Sequence, residues 1–168
     1  NKRQCVLEGL QLIHLGSGAS ELGDTCVEIN DNLPIGEIFN TVVINNVYIH
    51  NQWQKAIEFF QCRQIKANNL TAKLNYGTEI LHLRNTCMDC SFENCNIGTG
   101  ASGTNNITGM LIDGHADTGN EGIRVSNSTF LKTKIGIDFN GTAGTYEPHL
   151  VVADSHFNCQ VNGVIINN

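Results

Sequence analysis

Three-residue stretches of the form apolar–x–apolar recur along this chain: Val27-Glu28-Ile29, Ile57-Glu58-Phe59, Leu81-His82-Leu83, Met110-Leu111-Ile112, Ile137-Asp138-Phe139 and Val164-Ile165-Ile166. In a strand, side chains alternate between faces, so the flanking apolar residues point one way and the central residue the other. If such strands stack, Glu28, Glu58, His82 and Asp138 share one outward column at about 4.8 Å per step. Glu28 and Glu58 then stand near the roughly 5–5.5 Å of a retaining glycosidase's carboxyl pair, and carboxylates two steps apart approach the roughly 6.5–9.5 Å of an inverting one. His82 beside Glu58 could tune its pKa or share its proton. These four are the candidate catalytic residues. A solvated polar strand face has the same composition and is the plainer reading of the column.

A second outward column reads Gln11, Tyr48, Lys66, Ser91, Thr129 and His156. Rings, amides and hydroxyls at strand spacing suit sugars, which makes Tyr48, Lys66 and His156 candidate carbohydrate-binding residues. A third column, Val6, Val43, Gln61, Thr86, Arg124 and Val151, exposes three valines and points to a neighbouring chain or loop on that side. The segment DGHADTGNE gathers Asp113, His115, Asp117 and Glu121 between strands. Its spacing matches no calcium loop, and it reads as a solvent-exposed loop.

The elements that would hold these columns announce themselves by repetition. IRVSNSTFLKTKIGIDFNG (123–141) and LVVADSHFNCQVNGVIINN (150–168) match in type at a constant shift of 27 residues. The pairs include Val125 with Val152, Asn127 with Asp154, Phe130 with Phe157 and Gly136 with Gly163. A fixed period in this range marks a solenoid. Variable spacing between otherwise constant short apolar segments favours strands over helical repeats, whose packing holds their length. Followed upstream through Cys87-x-Asp89-Cys90-x-Phe92, Cys62-x-Gln64-Ile65-x-Ala67, Val42–Ile49 and Cys5–Leu12, the pattern predicts about six turns. Asn46, Gln64, Asp89, Asn127 and Asp154 would form one buried corner ladder, with Gly9 at the same place, because Asn tolerates left-handed backbone and stacked amides pair between turns. One domain over residues 1–168 is expected, as an excerpt of a longer chain.

Composition narrows the partners. A net charge of −6 argues against nucleic acid, and no apolar run nears the roughly 18 residues of a membrane span. Seven cysteines at irregular spacing make a poor disulfide framework. Cys87, Cys90 and Cys95 lack a second zinc half-site and read as small buried apolar residues. No cofactor or metal is called for. The sequons at Asn69, Asn106, Asn127 and Asn140 read as Asn- and Thr-rich turns, with Asn127 assigned to the buried corner.

NTVVINNVYIHN, GIRVSNSTFLKTKIGIDFNG and CMDCSFENCNIG resemble the right-handed, single-stranded parallel β-helices of the pectin-lyase-like superfamily, and within it bacteriophage tailspikes and tail-fibre depolymerases. The resemblance covers nearly the whole chain. It implies an all-β fold and a homotrimeric spike in the virion tail that binds, and often cleaves, bacterial surface polysaccharide. The polygalacturonase GHG, paired-Asp and RxK motifs and the pectate-lyase calcium carboxylates and RxPxxR stretch are not found. A secreted, extracellular polysaccharide lyase or glycoside hydrolase on the same scaffold is the alternative from the enzyme class. A non-catalytic structural solenoid of an adhesin or virion is the third.

Overall fold

The computed structural model describes residues 3–14, 23–30, 40–85, 87–100, 105–114, 120–140 and 149–167. They form an all-β parallel solenoid, a parallel β-helix, with no helix among the described residues. The first level is β1 (Arg3–Glu8), β2 (Gln11–His14) and β3 (Gly23–Asn30). The second is β4 (Asn40–Asn51) and β5 (Trp53–Phe60), and the third β6 (Ile65–Leu74) and β7 (Glu79–Asn85). The fourth is β8 (Ser91–Glu93), β9 (Asn96–Thr99) and β10 (Thr108–Gly114), and the fifth β11 (Ile123–Ser126), β12 (Thr129–Leu131) and β13 (Ile135–Asn140). The last is β14 (Leu150–Ala153), β15 (His156–Asn158) and β16 (Asn162–Asn167).

Two sheets result. One is six-stranded, in the order β16-β13-β10-β7-β5-β3. The other has ten strands, because β4 and β6 run unbroken round a corner that later levels divide between two short strands. Among the described residues, every fully buried apolar residue lies between Val42 and Phe139, on the second to fifth levels. About four closed turns are therefore present rather than the six expected. Among the described residues the outer levels pair in register on one side, and Leu10, Ile13, Val164 and Ile166 are exposed there. Each level can bury its apolar face only against the next.

The inward column is continuous. Phe130 stacks on Phe157 with ring centroids 4.9 Å apart and planes 6° from parallel, one strand spacing apart along the sheet. The glycine that opens GMLI, GIDF and GVII makes room for these rings. A Cβ on Gly109 would lie 2.6 Å from the Gly136 carbonyl oxygen and 2.8 Å from Phe130 Cδ1.

The corner ladder corrects the sequence reading. Asn46, Asn69, Asn94, Asn127 and Asp154 all have φ between 47 and 56° and, with Gly9, occupy one corner. Gln64 and Asp89 have the same backbone geometry but belong to a second corner, which Gly122 shares. The cause is a motif that occurs twice per turn. In DCSFENCNI, Asp89-Cys90-Ser91-Phe92 and Asn94-Cys95-Asn96-Ile97 are the same phrase five residues apart, and Gln64–Ala67 and Asn69–Ala72 duplicate it one level earlier. The register pairs Val125 with Phe92 and Ile44 with Ala67. Amides do ladder at the first corner, where Asn69 Nδ2 donates to Asn46 Oδ1 at 2.6 Å. The corner is exposed, however, and Asn127 with it, because left-handed backbone turns the side chain away from the core.

The cysteines pack as expected. Cys62, Cys87, Cys90 and Cys95 are buried, and none of the seven cysteines is in a disulfide. Cys95 Sγ donates to the Glu93 carbonyl as Ser128 Oγ does to that of Ser126, so thiol and hydroxyl exchange at one position after the corner.

Candidate functional site

The six-stranded sheet aligns the first column as the apolar–x–apolar stretches imply. Glu28 pairs with Glu58, Glu58 with His82, His82 with Leu111, Leu111 with Asp138 and Asp138 with Ile165. What the alternation does not foretell is enclosure. Glu58 and His82 are only 6% and 7% exposed.

Around Glu58 the charges are matched. Ala56 and Ile57 are both buried, which breaks the two-residue alternation, and Lys55 reaches round so that its ammonium donates to Glu58 Oε2. Arg84 Nη1 donates to Glu58 Oε1 at 2.9 Å from the next strand, and the guanidinium also sits over the Phe60 ring at 5.6 Å. Burial alone would raise the Glu58 carboxyl, but the hydrogen bonds and charges of Lys55 and Arg84 outweigh it and hold the pKa below the ordinary value. Glu58 is thus an anion with both oxygens engaged. It has no proton to donate at neutral pH.

His82 lies between two carboxylates. Its Nδ1 is 3.6 Å from Glu58 Oε2 and its Nε2 is 3.8 Å from Asp113 Oδ2. Neither nitrogen has a hydrogen-bond partner. Burial first, and the Lys55 charge second, push its pKa below the ordinary value. A neutral imidazole results.

Of the other two expected catalytic residues, Glu28 lies beside Glu58 in register and Asp138 stands apart. Glu28 is exposed and accepts from Asn30 Nδ2 at 3.4 Å. Asp138 is separated from His82 by Leu111, accepts from Asn167 Nδ2 at 3.2 Å, and has its pKa raised by burial. The structure therefore brings together Glu58 and His82, keeps Glu28 beside Glu58 in register, and adds Lys55, Arg84 and Asp113, which the column did not contain. Arg84 and Asp113 carried a usable signal: each lies two residues past the column, on the same face, and so reaches a diagonal neighbour. Lys55 carried none, since an i,i+3 pair in a regular strand faces opposite ways.

On the ten-stranded sheet two members of the second column belong to the third. The true second column is Gln11, Tyr48, Thr71, Asn96, Thr129 and His156. Lys66 and Ser91 belong with Val6, Val43, Arg124 and Val151 across the corner. The five-residue slip between corners is the reason. Gln61 turns a corner of its own with φ 55°, and Thr86 lies outside the described residues. Tyr48 and His156 share a face but are separated by Thr71, Asn96 and Thr129, and Lys66 is not beside either. Tyr48 instead stacks with His50, centroids 5.6 Å apart and planes 15° from parallel, both rings half-exposed on β4. Thr71 and Lys73 adjoin them in register. Of the acidic segment, Asp113 is the last residue but one of β10 and Glu121 is half-buried, while His115 and Asp117 lie outside the described residues.

No protein-family model, no curated protein and no solved structure gives a significant match to the chain.

Proposed function

We propose that this chain is a glycan-recognising segment of a tailspike-type β-helix of the pectin-lyase-like kind, acting in a trimer on the surface polysaccharide of a bacterium. The observation that carries the reading is the Tyr48–His50 ring pair, held on a continuous strand and bordered by Gln11, Thr71 and Lys73. Flat rings offer the apolar face of a pyranose a stacking surface, and the bordering amide, hydroxyl and ammonium can hydrogen-bond its hydroxyls. Recognition is better supported than cleavage, since both oxygens of Glu58 are held by cations. A cleaving site would need a carboxylate free to meet the anomeric centre.

The test is to incubate the full-length protein with purified capsular and O-antigen glycans, measuring binding and any oligosaccharides released by mass spectrometry. Binding that Tyr48→Ala weakens about tenfold or more supports the reading. Binding to no glycan sinks it. Release of fragments would add an activity, with unsaturated ends marking a lyase and added water a hydrolase.

A further inference from the structure

Among the histidines of the described residues, only His82 is buried, and it makes no hydrogen bond through either nitrogen. A buried polar group left unpaired needs an explanation. Its surroundings supply one. Lys55 and Glu58 act on it from β5, Glu79 and Arg84 from its own strand, and Asp113 from β10. Lys55 and Arg84 already engage Glu58, so a proton on His82 would be a third cation crowded into an enclosed site. Asp113, by contrast, is 48% exposed, 3.8 Å from Nε2 and without a cation of its own among the ion pairs of the described residues. It offers an imidazolium both a counter-charge and a way to water.

We propose that His82 is a proton-operated latch: neutral, it lies sealed between Glu58 and Asp113; protonated, it swings out to Asp113 and loosens the end of the seam between β7 and β10. That end is where Leu83, Arg84 and Asn85 pair with Ile112, Asp113 and Gly114. Burial disfavours the charged ring where it stands, while rotation toward a half-exposed carboxylate restores hydration and adds a charge-assisted hydrogen bond. The lowered pKa of the enclosed ring agrees with this direction. The latch does not depend on the glycan reading.

The experiment follows the imidazole of His82 by NMR in the full chain through a pH titration, together with amide exchange at residues 83–85 and 112–114, corrected for intrinsic rates. The latch predicts titration below 6.5, the ordinary value, and exchange at those amides rising about tenfold as the ring protonates. His82→Gln should abolish the rise. Asp113→Asn, at a half-exposed position that leaves the core untouched, should push the titration of His82 lower still by removing the outer partner. Titration at or above 6.5, protonation without faster exchange, or an Asp113→Asn variant whose His82 titrates unchanged would each overturn the proposal. Should His82→Gln fail to fold, Asp113→Asn decides alone.

Discussion

The two outer faces of the solenoid treat polar side chains in opposite ways. On the six-stranded sheet, Glu58 and His82 are enclosed and their charges are answered by Lys55, Arg84 and Asp113. On the ten-stranded sheet, Tyr48, His50, Thr71 and Lys73 stay partly open to solvent. Both sets occupy outward positions on strands of the same two levels. Alternation settles direction; what lies over the residue decides whether it meets solvent. The enclosed face is tuned by electrostatics, and the open one is available for contact.

Val125→Asp tests the core on which both faces depend, and its effect should be the largest. It places an unpaired charge at a position with no exposure, at an expected cost above about 4 kcal/mol, enough to prevent cooperative unfolding in urea. A variant as stable as the parent would refute the inward register. Glu58→Gln comes next. It leaves Lys55 and Arg84 without their anion, and since both retain some solvent contact the loss should be about 2 kcal/mol by thermal or urea denaturation.

The third effect is a pH dependence confined to the enclosed face. The folded-state pKa of His82 is depressed, so the unfolded chain takes up the proton first. Its contribution is full above the ordinary value of 6.5 and is lost as pH falls below it, by up to about 1.4 kcal/mol per unit of depression. Glu58, also depressed, adds a second loss below 4.5 as it protonates. Urea midpoints measured between pH 7.5 and 5 should fall in the parent and stay flat in His82→Gln. Smallest in stability is Tyr48→Ala, expected to cost under about 1 kcal/mol because the ring is half-exposed. A loss as large as that of Glu58→Gln would erase the distinction between the faces.

Much of this was legible in the sequence. Six apolar–x–apolar stretches fix the six-stranded sheet and its register, since Ile137-Asp138-Phe139 and its counterparts carry one period and no competing alignment. The ten-stranded sheet was harder to read because its phrase occurs twice per turn. Asp89-Cys90 and Asn94-Cys95 are interchangeable as sequence, and only the pairing of Phe92 with Val125 shows which corner each one turns. Within the candidate site, the pairing of Glu58 with His82 was readable from position. Their enclosure was not, because it depends on Lys55 reaching past a break in alternation and on Arg84 and Asp113 arriving from other strands.

The buried thiols give the molecule an internal record of its own opening. Burial raises Cys90 to about 12 and Cys95 to about 11, so in the closed state almost no thiolate is present for an alkylating reagent at pH 8. Cys62 and Cys87 are buried with them, while Cys5, Cys26 and Cys159 are half-covered. Pulsed alkylation read by peptide mass would therefore time the opening of the middle turns, each thiol being modified only once the levels around it part.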